Sequence, residues 1–192
     1  MLISACGTLL SSELVATAPV APEGTPLAAL AVTMKGMARA YADDGSMFLS
    51  SGDRVNALAA YYYGFAWLHF GRVYGLLSST GNAHACPFTG QQETLPPVHA
   101  AHLNEKTRRY ARLLETACAS VVPAPEPETA GGVFARRVIL VSTCYARGGG
   151  YSLVSGAEEA ALALFSYGHG WLDAGVRAGL LEITGNREIF TI

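Results

Sequence analysis

His169, Asp173 and Arg177 follow one another at steps of four residues, a spacing that sets three polar side chains along one face of a helix. An imidazole beside a carboxylate can move a proton, with Asp173 orienting the ring of His169, and the same pair can contribute to a metal site. Tyr167 and Trp171 flank them and would line a small-ligand pocket. The competing reading is a salt-bridged or hydrogen-bonded face that fixes helix packing, and it is favoured because no second ligand pair at a recognisable spacing accompanies the first. A second cluster, His84, Cys86, His99 and His102, gathers zinc-type ligands within 19 residues. A metal there could staple a proline-rich connection, but the spacing fits no standard zinc knuckle and an ordinary linker is the expectation. The sequence contains no P-loop, no dinucleotide glycine motif after a strand, no GxSxG elbow and no carboxylate pair at helical metal spacing. No catalytic residue is assigned and no cofactor is expected.

The elements that must position these residues occur twice. Displaced by 104 positions, Tyr41 to Asn82 lies on Tyr145 to Asn186 without a gap, with 20 identities in 42 positions. The repeat predicts an all-α protein of two tandem three-helix up-and-down bundles packed together. They comprise residues 1–82 and 105–192, joined by a linker over 83–104. First helices are expected at about 1–17 and 100–121, stopped by Pro19 and Pro22 and by Pro123, Pro125 and Pro127. Second helices are expected at about 26–50, with Thr25 as N-cap and Pro26 at the first helical position, and at about 131–154. In the latter, Gly148, Gly149 and Gly150 predict a kink or local opening. Third helices are expected at about 53–80 and 157–184, after Ser-Gly turns and ending at Thr-Gly-Asn in both copies.

The third helix keeps Gly64, Trp67, Leu68, Gly71 and Gly75 in one copy as Gly168, Trp171, Leu172, Gly175 and Gly179 in the other. Glycine costs a helix about 1 kcal/mol per residue relative to alanine. A glycine stripe is tolerated when a neighbouring backbone comes close, so these residues are assigned to helix packing, with the tryptophans as core or interface anchors. The GxxxG-like spacing also occurs in membrane helices, but Asp173 and Arg177 sit within the same segment, where a bilayer penalises charge. No membrane span is expected.

Hydrophobic residues make up 51% of the chain and charged ones 15%, with a formal charge of −2. Such a balance gives no general attraction to nucleic acid or anionic lipid. Lys106, Arg108, Arg109 and Arg112 form the one basic cluster, expected to be a solvated helix face rather than a nucleic-acid contact. Asp43 and Asp44 have Arg147 and Gly148 as counterparts and are likewise assigned to a solvated face. Cys6, Cys86, Cys118 and Cys144 show no CxxC pair and no correspondence between copies, which predicts reduced thiols in a cytoplasm. Ile3 to Cys6 resembles a lipoprotein cleavage box, but too few residues precede it to form a signal peptide, so none is expected unless the true start lies upstream.

The run His169-Gly170-Trp171-Leu172-Asp173-Ala174-Gly175, preceded by Tyr167 and by a segment ending in a Ser-Gly turn, resembles the archaeal domain-of-unknown-function family numbered 357. The resemblance is closest over about 105–186 and weaker over 1–82, where Phe65 and His69 replace the His and Asp. It implies a short three-helix bundle fold and an archaeal cytoplasmic origin, and carries no activity. The favoured function is a non-enzymatic protein-interaction or scaffolding module that binds a protein partner or itself. The alternative is a small-ligand-binding or enzymatic domain using the polar residues of the last helix.

Overall fold

The computed structural model describes residues 2–79, 88 and 93–191. The chain divides between Ala101 and His102 into two compact units. In the first, helix α1 (Ile3–Val15) leads into strand β1 (Thr17–Pro19), then come α2 (Pro26–Ser50), α3 (Arg54–Val73) and β2 (Leu77–Ser79). After a 3₁₀ turn at Pro97–His99, the second repeats the order as α4 (Ala100–Ala119), β3 (Val121–Pro123), α5 (Ala130–Val154), α6 (Glu158–Arg177) and β4 (Leu181–Ile183), closing with a 3₁₀ turn at Arg187–Ile189.

Local chemistry sets the second helices where the sequence predicts them. The Thr25 hydroxyl accepts the Ala28 N–H at 3.1 Å, Pro26 needs no partner for a missing donor, and Thr129 repeats the cap on Gly132 at 3.0 Å. Both helices run unbroken, so the Gly148 to Gly150 run does not open the helix.

The third helices are the core. From Val55 to Gly71, α3 is buried everywhere except Asn56 and His69, and from Ala161 to Gly175, α6 is buried everywhere except Leu164. Their neighbours meet them with small residues: α2 buries Ala28, Ala31, Ala38, Ala42 and Gly45 around Met34, and α5 buries Gly132, Ala135, Val138, Ser142 and Gly149. A Cβ added at Gly64 would lie 3.1 Å from the Ala38 carbonyl and 3.2 Å from Tyr41 Cβ, and one at Gly168 would lie 2.9 Å from Tyr145 Cβ. Close backbone approach is therefore what these two glycines permit. Burying Trp67, Phe65 or Leu68 contributes about 1.5–3 kcal/mol each, which outweighs about 1 kcal/mol lost per glycine.

The third helices end earlier than the sequence predicts, at Val73 and Arg177. The stop is made by Gly75 and Gly179, with φ of 81° and 71°, rather than by Gly81 or Gly185. The Leu76 N–H reaches back to the Gly71 carbonyl at 2.8 Å and Leu180 to Gly175 at 3.0 Å, a closure that requires the left-handed conformation glycine adopts without strain. Gly75 and Gly179 are thus corrected from packing positions to helix caps, with open space where a Cβ would be. Gly71 and Gly175 stay inside, against Leu77 and against Val138 and Leu181.

Each cap leads into a short strand, which the all-helical expectation lacked. β2 pairs antiparallel with β1 through Thr17 and Ser79, Ala18 and Ser78, Pro19 and Leu77. β4 pairs with β3 through Val121 and Ile183, Val122 and Glu182, Pro123 and Leu181. Each pair ties the end of a unit's first helix to the end of its third. Part of the linker also packs on the first unit: Phe88 lies 4.9 Å from the Tyr62 ring, Leu95 is buried, and Glu93 accepts the Ile3 N–H at 2.9 Å and pairs with Arg54.

Candidate functional site

The polar residues of α6 are held inside the second unit. His169 is 4% exposed and Asp173 fully buried, while Arg177, one turn on, is exposed. The His169 Nε2 to Asp173 Oδ1 distance is 3.9 Å, longer than a hydrogen bond. Burial pushes the His169 pKa down to about 4, opposed by a hydrogen bond with the Ile189 backbone, so the ring is neutral at pH 7. The other Asp173 oxygen, Oδ2, accepts the Thr191 N–H at 3.0 Å, and the Phe190 ring stands edge-on to His169 at 6.2 Å. The pair therefore lies against the C-terminal segment, with Asp173 holding the Thr191 amide and His169 facing the Phe190 ring. Tyr167 stacks on Trp171 at 6.1 Å and packs on Tyr145 at 4.5 Å. The first unit repeats the latter contact between Tyr63 and Tyr41 at 4.5 Å.

Of the zinc-type residues, His84 and Cys86 lie outside the described residues. His99 ends the 3₁₀ turn, and His102 is exposed in the first turn of α4. Among the described residues, no group of three or more His, Cys, Asp and Glu converges as a metal site would require.

The basic cluster is only partly a solvated face. Lys106 is buried, its amine 4.9 Å from the centre of the Tyr110 ring, whereas Arg108, Arg109 and Arg112 are exposed. Arg109 stands 3.9 Å from Glu105 and Arg108 donates to Asn104 at 3.1 Å.

Two features escaped the sequence reading. One is a groove present in both units: about 550 Å³ between α1 and α2, with Ser46, Leu49 and Tyr61 in its wall, and about 410 Å³ between α4 and α5, with Gly150, Leu153 and Phe165 at the equivalent positions. Its floor is an aromatic ring set against glycine, since a Cβ at Gly45 would lie 2.4 Å from Tyr61 and one at Gly149 2.4 Å from Phe165.

The other is the outer face of α5. Val133, Arg137, Leu140, Cys144, Arg147, Tyr151 and Val154 alternate at steps of four and three, and all are exposed. Such spacing is the seam of a helix that packs along another helix. Four of the positions are large and apolar, with Leu140 61% exposed, Tyr151 78% and Val154 90%. Because the inward face is built from small residues, the bulky side of this helix faces solvent. A single alternating-size pattern in the sequence could have shown it, had the small face been recognised as the buried one.

A duplicated helical unit built around a largely buried third helix defines a tandem-repeat, mostly α-helical protein. The chain belongs to the family described as "Protein of unknown function (DUF357)", whose family model matches residues 8–77 and 109–181. Each segment runs from within the first helix of its unit to the strand after the third, as a duplicated domain requires. No curated protein and no solved structure matches the chain. Among the described residues, no helix is long and apolar enough to cross a membrane.

Proposed function

We propose that the protein is a non-enzymatic protein-interaction module whose contact surface is the outer face of α5. The observation that carries this is the exposed seam of Val133, Leu140, Tyr151 and Val154. Exposed apolar side chains aligned in one stripe mark a protein contact, whereas scattered ones need no explanation. We place the enzymatic alternative second, since Asp173 already holds the Thr191 N–H and His169 stands against the Phe190 ring. We place the protein in a reducing compartment such as the cytoplasm, because its four cysteines form no CxxC pair and do not correspond between the copies.

The test is affinity capture from native extract with the wild-type chain beside a Leu140→Glu/Tyr151→Glu variant, with mass spectrometry of the proteins, RNA and small molecules retained. A stoichiometric protein, including the untagged chain itself, held by the wild type and lost by the variant is the expected result. A stoichiometric RNA or small molecule retained equally by both would overturn the proposal.

A further inference from the structure

We infer that the α5 seam docks on the outer face of α2 of a second copy of this chain. The inference rests on reading the seam as a protein contact, and adds the identity of the partner. α2 and α5 are equivalent helices in the repeat, yet their outer faces have diverged in opposite senses. Where α5 carries Arg137, Leu140, Cys144 and Arg147, α2 carries Thr33, Gly36, Ala40 and Asp43. Over these four positions the α5 side chains are the bulkier and the α2 ones the smaller, with open space around Gly36, while Met47 at the Tyr151 position stays large. Large side chains meeting a shallow face is the geometry of knobs entering holes.

Charge divides the same way. α5 contains Arg136, Arg137 and Arg147, all exposed, and no acidic residue. The outer side of α2 carries Asp43 and Asp44 against Arg39 alone, because Lys35 is turned toward β1 and donates its amine to the Thr17 carbonyl at 2.6 Å. Two α5 seams facing each other would set arginine against arginine. An α5 seam on an α2 face sets arginine against aspartate, and complementary charge selects partners and register more than it adds affinity. The contact uses different surfaces on the two copies, so it either closes a ring or extends head to tail.

The experiment is sedimentation velocity on the full chain across a concentration series, with two charge-reversed variants. One is Asp43→Arg/Asp44→Arg, the other Arg136→Glu/Arg137→Glu/Arg147→Glu, each checked for helix content by circular dichroism. The wild type should self-associate, more weakly as salt is raised. Each variant alone should lose at least about tenfold in affinity, since like charges then meet across the contact. Mixing the two variants should restore association, because each supplies the face the other has reversed. If a variant misfolds, Arg137→Gln and Asp43→Asn replace it, each predicting a smaller loss of the same sign. A wild type that stays monomeric throughout overturns the inference, as does a mixture that fails to associate or a wild type whose association both variants retain. Capture of a different protein through α5 by a monomeric chain would also overturn it, while leaving the interaction module standing.

Discussion

Glu13 and Arg72 form an ion pair inside the first unit, with side chains 1% and 7% exposed, and the second unit places Ala117 and Val176 at the same two positions. Arg72 also donates to the Thr17 hydroxyl and the Glu13 carbonyl, so the guanidinium joins the end of α1 to β1. One fold has two solutions at this place, one ionic and one apolar. Removing a single partner strands a buried charge, so Glu13→Ala should cost about 3–5 kcal/mol in urea unfolding. Glu13→Ala combined with Arg72→Val copies the second unit and should cost less than the sum of the two single changes by at least about 1 kcal/mol. Strict additivity in the double-mutant cycle would show that the pair is not coupled.

Adjacent glycines of α5 should respond in opposite directions. A Cβ at Gly149 meets Phe165 at 2.4 Å, whereas Gly150 has nothing within 4 Å. Gly149→Ala should therefore destabilise by about 1–3 kcal/mol through overpacking, and Gly150→Ala should stabilise by about 0.5–1 kcal/mol through helix propensity. Thermal unfolding of both variants checks this, and equal shifts would contradict the placement of the ring.

Stability should fall in mild acid through His169. Its pKa is about 4 in the folded chain against 6.5 in the unfolded one. Between these values the unfolded state binds a proton that the folded state refuses, so stability is complete above about pH 7 and is lost as pH falls toward 4. The loss is about 3 kcal/mol. His169→Phe installs the residue that the first copy carries at Phe65 and should flatten that part of the stability profile. A slope unchanged by the substitution would assign the acid sensitivity to another group.

Much of this arrangement was legible in the sequence. The 104-residue offset, the threonine caps of α2 and α5, and the close approach at Gly64 and Gly168 all derive from residue types and spacing. The ends of α3 and α6 did not, because Gly75 and Gly179 fit the glycine stripe as well as a cap, and three-residue strands are too short to display an alternating pattern. Glu13 and Arg72 lie 59 residues apart, and nothing local pairs them. The α5 seam was hidden for a subtler reason: periodicity takes the bulky face of a helix as the buried one, and in α2 and α5 the buried face is the one lined by alanine and glycine.

Hydroxyl-radical footprinting of the full chain, dilute and concentrated, reports on whether α5 of one copy covers α2 of another. It reads Tyr151 and Met47, which are 78% and 58% exposed in the single chain. If α5 of one copy covers α2 of another, both residues lose reactivity together as concentration rises, in step with the sedimentation coefficient. Association that leaves Tyr151 and Met47 as reactive as in the dilute chain would place the contact elsewhere and contradict the account.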